Sequence, residues 1–334
     1  MRKFLVFSIL LFCKLSSSDT FPIDIISYED FSSKNLNAIT ILRNALLEKG
    51  IVGIRGVPGY REKVANYLTA YRAFSALPEE VKERSAPDHS LGETFLGYER
   101  GKEKFQRPDG SWVRDDLKVS YYAFEPDCVE NKWPHEIDIN TPFQEIASLM
   151  SSTARKVMRT IGLFQFIDEE EIKETPRCGR MLHYRKSSES NIDNPYWCGA
   201  HYDHGLFTTL LPAFYFVDGE QVEEPAEAGL FVRAKNSTEF RKVVASDPDV
   251  IFFQVGEFGQ LLSNDAIKAT EHRVHKASGN VERFTLALFF DVPFDTVIHS
   301  TSELVKDSRY GDDPCTYRRW SEESHKRYMV KEKE

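Results

Sequence analysis

The sequence predicts an α+β unit, mainly helical in its first half and built on a two-sheet barrel or jelly roll in its second. Helical periodicity dominates up to about residue 163, and beyond Pro176 it gives way to short apolar runs separated by Gly, Asn and Asp. An aromatic share of 13%, led by 24 Phe and 14 Tyr, suits a β-rich interior. At 334 residues and 41% hydrophobic content, the chain is long enough to bury a full core.

In order, FPIDIIS (21–27) reads as a short strand. Between Asn35 and Lys49 the stripe Leu36, Ile39, Leu42 and Leu46 marks an amphipathic helix, which Gly50 stops. IVGIRGV (51–57) is β-branched and reads as a strand. Residues 61–77 return to helix, with Val64, Leu68, Tyr71 and Phe74 on one face, and Pro78 opens another short helix. From Ser85 to Asp127 the chain is rich in Gly, Pro and charge, which suggests an irregular lid or binding loop. A helix is expected over 142–163, with Thr141 as its cap, Pro142 in its first position and Gln144 completing a capping box. Its buried face is Phe143, Ile146, Leu149, Met150, Val157 and Ile161. Eight strand-length runs follow, at 179–185, 197–203, 206–217, 229–234, 250–255, 258–263, 270–275 and 282–291.

The chain therefore divides into an N-terminal region of helices and edge strands (20–130), a β core (131–299), and a charged C-terminal helix or tail (300–334). The first residues, MRKFLVFSILLFCKLSSSDT, join basic residues to the apolar run Phe4–Cys13. That run is too short to span a bilayer but has the build of a secretory leader, although Lys14 directly after it and Phe12 before Cys13 count against one. Residues 1–19 are set apart as a possible leader or disordered N-terminus.

A net charge of −9 gives the chain no general attraction for nucleic acid or an anionic membrane, and leaves a local basic pocket for a small anion open. Five cysteines, odd in number and spread over positions 13, 128, 178, 198 and 315, form no C-x-x-C and argue against a disulfide framework or a cysteine-rich zinc site. The expected partner is a small molecule.

Chemistry concentrates in HYDHG (201–205). On a strand, His201 and Asp203 project from the same face and can occupy neighbouring vertices of a metal, while His204 points the other way. A third ligand has to come from elsewhere. KATEHRVHKASGNVERFTLALFFD (268–291) reads as a hairpin that places His272 near Arg283 across the ladder. On its second strand Phe284, Leu286, Leu288 and Phe290 form a wholly apolar face. The opposite face carries Arg283, Thr285, Ala287 and Phe289 and can look into a cavity. An arginine there needs an anionic partner, and its planar fork suits a carboxylate, with the Thr285 hydroxyl alongside.

With this set the chain resembles the iron(II)/2-oxoglutarate-dependent dioxygenases, in their isopenicillin N synthase-like branch. HYDHGLFTTLL (201–211), LLSND (261–265), ATEHRV (269–274) and RFT (283–285) stand where that branch reads roughly HTDHG, SN, EHRV and RxS. FPIDI (21–25), FSALPEEVKE (74–83) and GYE (97–99) carry the likeness across nearly all of 21–295. The resemblance implies a double-stranded β-helix (jelly-roll) core with flanking helices. It implies His201, Asp203 and His272 as ligands on one face of Fe(II), with room left for 2-oxoglutarate and O2. Arg283 would pair with the distal carboxylate of the oxo acid, Thr285 would be the hydroxyl partner, and Tyr184 would take the place of the second tyrosine of the family's NYYP. Three departures stand out: Thr285 replaces the family's serine, LHYR (182–185) replaces NYYP, and FYFVDGEQVEEPAEAG (214–229) reads as an acidic insertion forming a solvated loop.

The implied activity is a non-haem oxygenase that oxidises a small organic substrate by hydroxylation, desaturation or cyclisation while decarboxylating 2-oxoglutarate to succinate. A 2-oxoglutarate-independent oxidase of the same branch, a metal-bearing binding module and a zinc hydrolase remain as alternatives. Dependence on 2-oxoglutarate and ferrous iron makes the cytoplasm the expected location, and the leader-like first residues keep an exported or organelle location open. His204 and His275 are expected to be bystanders, Cys198 a small buried apolar residue, and Phe207, Phe289 and Tyr202 borders of the cavity.

Overall fold

A computed structural model describes residues 20–107, 109–186, 195–234, 237–244 and 248–328. The segment set apart as a possible leader, 1–19, lies outside the described residues. The helices are α1 (Tyr28–Ser32), α2 (Leu36–Glu48), α3 (Tyr60–Ser75), α4 (Glu79–Lys82), α5 (Asn140–Ile161), α6 (Glu169–Glu174), α7 (Glu257–Leu262) and α8 (Tyr317–Tyr328). No helix among the described residues is long and apolar enough to cross a membrane.

The first strands are β1 (Thr20–Phe21), β2 (Ile25–Ser27), β3 (Ile51–Arg55), β4 (Gly97–Arg100), β5 (Lys104–Gln106), β6 (Trp112–Arg114) and β7 (Lys118–Glu125). The later ones are β8 (Arg177–Tyr184), β9 (Tyr196–His201), β10 (Phe207–Leu210), β11 (Phe214–Val217) and β12 (Glu220–Val222). They are followed by β13 (Gly229–Arg233), β14 (Phe240–Val243), β15 (Val250–Val255), β16 (Glu271–His275) and β17 (Val281–Phe290). A large sheet runs β2-β3-β15-β10-β17-β8-β7-β4, with β11 and β12 added beside β17, and faces a five-stranded sheet ordered β1-β14-β13-β16-β9. This is the jelly-roll core, and strands from before and after residue 130 share its larger sheet.

The main core lies on the outer face of the large sheet. Phe284, Leu286, Leu288 and Phe290 of β17 bury there with Tyr67, Tyr71 and Phe74 of α3 and Phe143, Met150 and Val157 of α5. The apolar face read from alternation is thus the packed one. The Tyr71 hydroxyl donates to the Met181 carbonyl (2.8 Å) and the Tyr67 hydroxyl to the Thr285 carbonyl (3.1 Å), so α3 is also tied to the sheet by directional bonds. Phe143 seats so closely on β8 that a Cβ at Gly179 would lie 2.4 Å from its ring. An alanine there would have to push the helix away.

Several expectations are corrected. Residues 268–291 are not a hairpin: β16 pairs with β9 and β13, and β17 pairs with β8, β10 and β11 in the opposite sheet. The chain crosses the roll between them, so His272 and Arg283 are not ladder neighbours. The run 258–263 is helix, not strand, because Gly256 ends β15 and the next amides, Glu257 N and Phe258 N, donate to the carbonyls of Asp203 (2.8 Å) and Gly205 (3.1 Å). All six residues of α7 are buried, which erases the amphipathic period that would have revealed a helix.

The stretch 85–127 is not irregular throughout; it holds β4 to β7. The long helix begins at Asn140, and Asp138 Oδ1, not Thr141, accepts from an early amide (Thr141 N, 3.1 Å). Gln144 turns to the Phe124 carbonyl (2.9 Å), so no capping box forms. The supposed solvated loop at 214–229 contains the β11–β12 hairpin, with β11 paired to β17. The charged C-terminal stretch ends in a docked helix, since Trp320 of α8 is fully buried and its Nε1 donates to the His204 carbonyl (2.9 Å).

Candidate active site

β9 and β16 are neighbours in the five-stranded sheet, and their register puts His201 directly opposite His272. Asp203 follows β9 by two residues. Its Oδ1 lies 3.8 Å from Nε2 of His201 and 3.8 Å from Nε2 of His272, and the two imidazole centroids are 4.2 Å apart. One donor atom from each residue falls within 4.8 Å of the other two. The structure thus brings together the three residues that the sequence singled out.

The opposite ends of these side chains are anchored. His201 Nδ1 sits 2.9 Å from the Gly199 carbonyl and His272 Nδ1 3.0 Å from that of Thr270. A proton on each Nδ1 leaves both Nε2 lone pairs facing the common centre, the usual arrangement for metal-bound imidazole. Oδ2 of Asp203 accepts from Thr208 Oγ1 (2.8 Å) and Gln254 Nε2 (3.2 Å), which leaves Oδ1 for the centre. Neither Thr208 nor Gln254 was found from sequence, although a single Gln in the apolar strand VIFFQV was a readable signal. Gln254→Ala or Thr208→Val is expected to weaken Fe(II) affinity about 10- to 100-fold, as measured by anaerobic titration.

Burial, with the neighbouring His201 charge second, holds the His272 imidazole down at about 4 against an ordinary 6.5. A neutral imidazole is the form that binds a metal. The unfolded chain takes up this proton near 6.5 and the native chain does so only near 4, so His272 stabilises the apo-protein above 6.5. That contribution should drain away as pH falls from 6.5 to about 4, and His272→Gln should flatten this part of a urea-melt pH profile.

Across the roll, β17 presents Arg283, buried at 3% exposure. Its Nε and Nη1 have no hydrogen-bond partner, and no described carboxylate forms an ion pair with it. The guanidinium meets the Tyr215 hydroxyl and lies 4.8 Å above the Tyr184 ring, which occupies the facing position on β8. A buried cation with two unmatched N–H groups is costly unless an anion joins it. The fork suits a small carboxylate in both charge and geometry. Thr285 is on the same face and buried, but its hydroxyl donates to the Leu211 carbonyl (2.8 Å). It therefore meets a carboxylate only after turning away from that bond, a weaker role than the sequence suggested.

His275 stacks on Phe231 at 3.8 Å, away from the centre, as expected of a bystander. His204 packs against His325 of α8 at 4.3 Å, and Tyr328 stands 6.3 Å from His201, so the C-terminal helix forms a wall of the site. Cys198 is not in an apolar setting: its Sγ lies 3.5 Å from Lys118 Nζ and 3.8 Å from His201 Nδ1.

Residues 178–292, which hold all six candidate site residues, match the family model described as the 2OG-Fe(II) oxygenase superfamily. Over that stretch the chain is similar to the members of this superfamily. The chain is 26% identical to homoarginine-6-hydroxylase 2-ODD-C23 of Glycine max over 293 residues, covering 79% of this chain and 80% of the relative. It is 26% identical to jasmonate-induced oxygenase 3 of Arabidopsis thaliana over 264 residues, covering 74% of this chain and spanning 63% of the relative's length. In fold it is similar to a full-length Neurospora crassa protein crystallised in complex with alpha-KG and thymine, with a TM-score of 0.69 at 20% identity, covering 94% of this chain and 99% of the other. It is also similar to JOX2 in complex with 2OG, Fe and JA, with a TM-score of 0.63 at 21% identity, covering 89% and 82%.

Proposed function

We propose that the protein is an Fe(II)- and 2-oxoglutarate-dependent oxygenase that oxidises a small organic substrate by hydroxylation, desaturation or cyclisation. The observation that carries this reading is the buried, anion-free Arg283 guanidinium set in the same roll as a His-Asp-His donor set. His201, Asp203 and His272 would hold the iron through Nε2, Oδ1 and Nε2. Arg283 would take the distal carboxylate of 2-oxoglutarate, with Tyr184 fixing the plane of the guanidinium from below. With the oxo acid bound, a ferrous ion there would supply the oxidising chemistry that couples O2 and 2-oxoglutarate to succinate, CO2 and oxidised substrate. The buried walls, Leu182, Trp197 and Tyr215 among them, exclude water from the cosubstrate. Relatives named for jasmonate and homoarginine, and a structural neighbour holding thymine, support a small molecule as substrate. On the same reading the protein works in the cytoplasm, where both iron and oxo acid are supplied.

Anaerobic addition of Fe(II) and 2-oxoglutarate should give the weak visible charge-transfer band of a chelate, and O2 should discharge it with release of succinate. A band that persists in air across a broad substrate panel would favour a carrier. Turnover that is supported by zinc and indifferent to 2-oxoglutarate would favour hydrolysis.

A further inference from the structure

A tyrosine stands on either side of Arg283 in the large sheet. Tyr184 of β8 faces it across one ladder and Tyr215 of β11 across the other. Phe214 and Phe216 join the outer core, so Tyr215 points to the inside of the roll. The fully buried Trp197 ring connects the two, 5.8 Å from Tyr184 and 6.5 Å from Tyr215. Tyr184 offers the guanidinium its ring face, whereas Tyr215 offers its hydroxyl. With the Thr285 hydroxyl taken by the Leu211 carbonyl (2.8 Å), Tyr215 supplies the hydroxyl beside Arg283.

The Tyr215 hydroxyl is itself held from behind. It donates to Glu224 Oε2 (3.0 Å), and Glu224 Oε1 pairs with Lys242 Nζ (2.8 Å). Lys242 is 3% exposed and also donates to the carbonyls of Pro225 (2.6 Å) and Ala226 (3.1 Å), which ties the acidic stretch after β12 to β14. A Cβ at Gly229, whose φ is +111°, would lie 2.8 Å from Glu224 Oε1, so the carboxylate is packed closely against that turn.

A phenol suits an anchor that has to stay open to an anion. A carboxylate in that position would neutralise Arg283 and compete with the oxo acid, whereas a neutral hydroxyl oxygen can accept one N–H and leave the charge in place. Burial pushes the Tyr215 hydroxyl well above its ordinary range, so it stays neutral. With its proton committed to Glu224, the oxygen turns its lone pairs toward the guanidinium.

We propose that Tyr215, oriented by Glu224, is a positioning residue that sets the Arg283 guanidinium for the distal carboxylate of the oxo acid. The inference rests on the oxygenase reading above, and it gives a task to the stretch that read as a solvated insertion.

The test compares 2-oxoglutarate with 2-oxovalerate, which keeps the metal-chelating end and carries a methyl group in place of the distal carboxylate. Dissociation constants come from anaerobic titration of the chelate band on the Fe(II)-loaded full chain. The wild type should prefer 2-oxoglutarate. Tyr215→Phe should shrink that preference about tenfold while 2-oxovalerate binds as before. Glu224→Ala should shrink it in the same direction, and Glu224→Gln, which keeps an acceptor, should restore most of it. In the Tyr215→Phe background Glu224→Ala should add less than about twofold, because it acts through the missing hydroxyl. An unchanged preference in Tyr215→Phe, or equal weakening of both acids, overturns the positioning role. Additive losses in the double variant overturn the part given to Glu224. If Tyr215→Phe forms no band with either acid, Glu224→Ala decides, and an unchanged or larger preference there overturns the proposal. A wild type that binds both acids equally overturns Arg283 as the anchor, and a wild type without a band overturns the oxygenase reading; the positioning role falls with either.

Discussion

Asp203→Ala should leave a folded protein that no longer retains Fe(II). Asp203 Oδ1 is the one anionic donor in the set, 3.8 Å from each imidazole nitrogen, and two neutral imidazoles alone leave the charge of the ion uncompensated. Removing groups that merely orient a ligand costs about 10- to 100-fold in affinity, so removing the ligand itself should exceed about 100-fold. The fold should survive, because Asp203 lies past the end of β9 and its backbone carbonyl, which receives the Glu257 amide at 2.8 Å, is kept. Iron content after anaerobic gel filtration, read beside the circular dichroism spectrum, checks both halves. Full iron occupancy in the variant would remove Asp203 from the ligand set.

Arg283→Met should separate the metal from the cosubstrate. The variant is expected to hold Fe(II) at wild-type strength, because Arg283 sits on β17 in the sheet opposite His201 and His272. It should bind 2-oxoglutarate more weakly by about 2–5 kcal/mol, a roughly 30- to 5,000-fold change, since a buried carboxylate would lose its counter-charge. Among the described residues, Arg180 and Lys118 on the neighbouring strands are committed to Glu103 and Asp115. Without cosubstrate the variant should be no less stable than the wild type, because methionine fills similar volume and an unmatched buried cation has gone. Titration of the chelate band and thermal melts with and without 2-oxoglutarate measure these effects. Wild-type oxo acid affinity in Arg283→Met would show that the carboxylate binds elsewhere.

The site was legible where chemistry follows strand alternation. His201 and Asp203 are two residues apart, and the apolar face of Phe284, Leu286, Leu288 and Phe290 left Arg283 on the opposite face, facing inward. Pairing across the roll was not legible, because nearness in sequence favours a hairpin while β16 and β17 bond to strands far along the chain. β7 was hidden because its inward residues, Lys118 and Ser120, are polar, and the Glu103, Asp115 and Arg180 groups that make their burial tolerable come from other elements. α7 was hidden for the opposite reason, being buried on every side. The C-terminal stretch read as a charged, peripheral helix or tail; it is a helix, but Trp320 buries it against the core and Arg309, 4% exposed, forms an ion pair with Glu257 at the start of α7. Its charges are largely structural on that face, and sequence composition does not separate those from solvated ones.

The most direct measurement is an anaerobic crystal structure with Fe(II) and 2-oxoglutarate, with anomalous data collected at the iron edge. The account predicts one iron peak about 2.0–2.2 Å from His201 Nε2, Asp203 Oδ1 and His272 Nε2, and the far carboxylate of the oxo acid on the Arg283 fork. An iron peak away from those three atoms, or an oxo acid bound with Arg283 still unpaired, would contradict it.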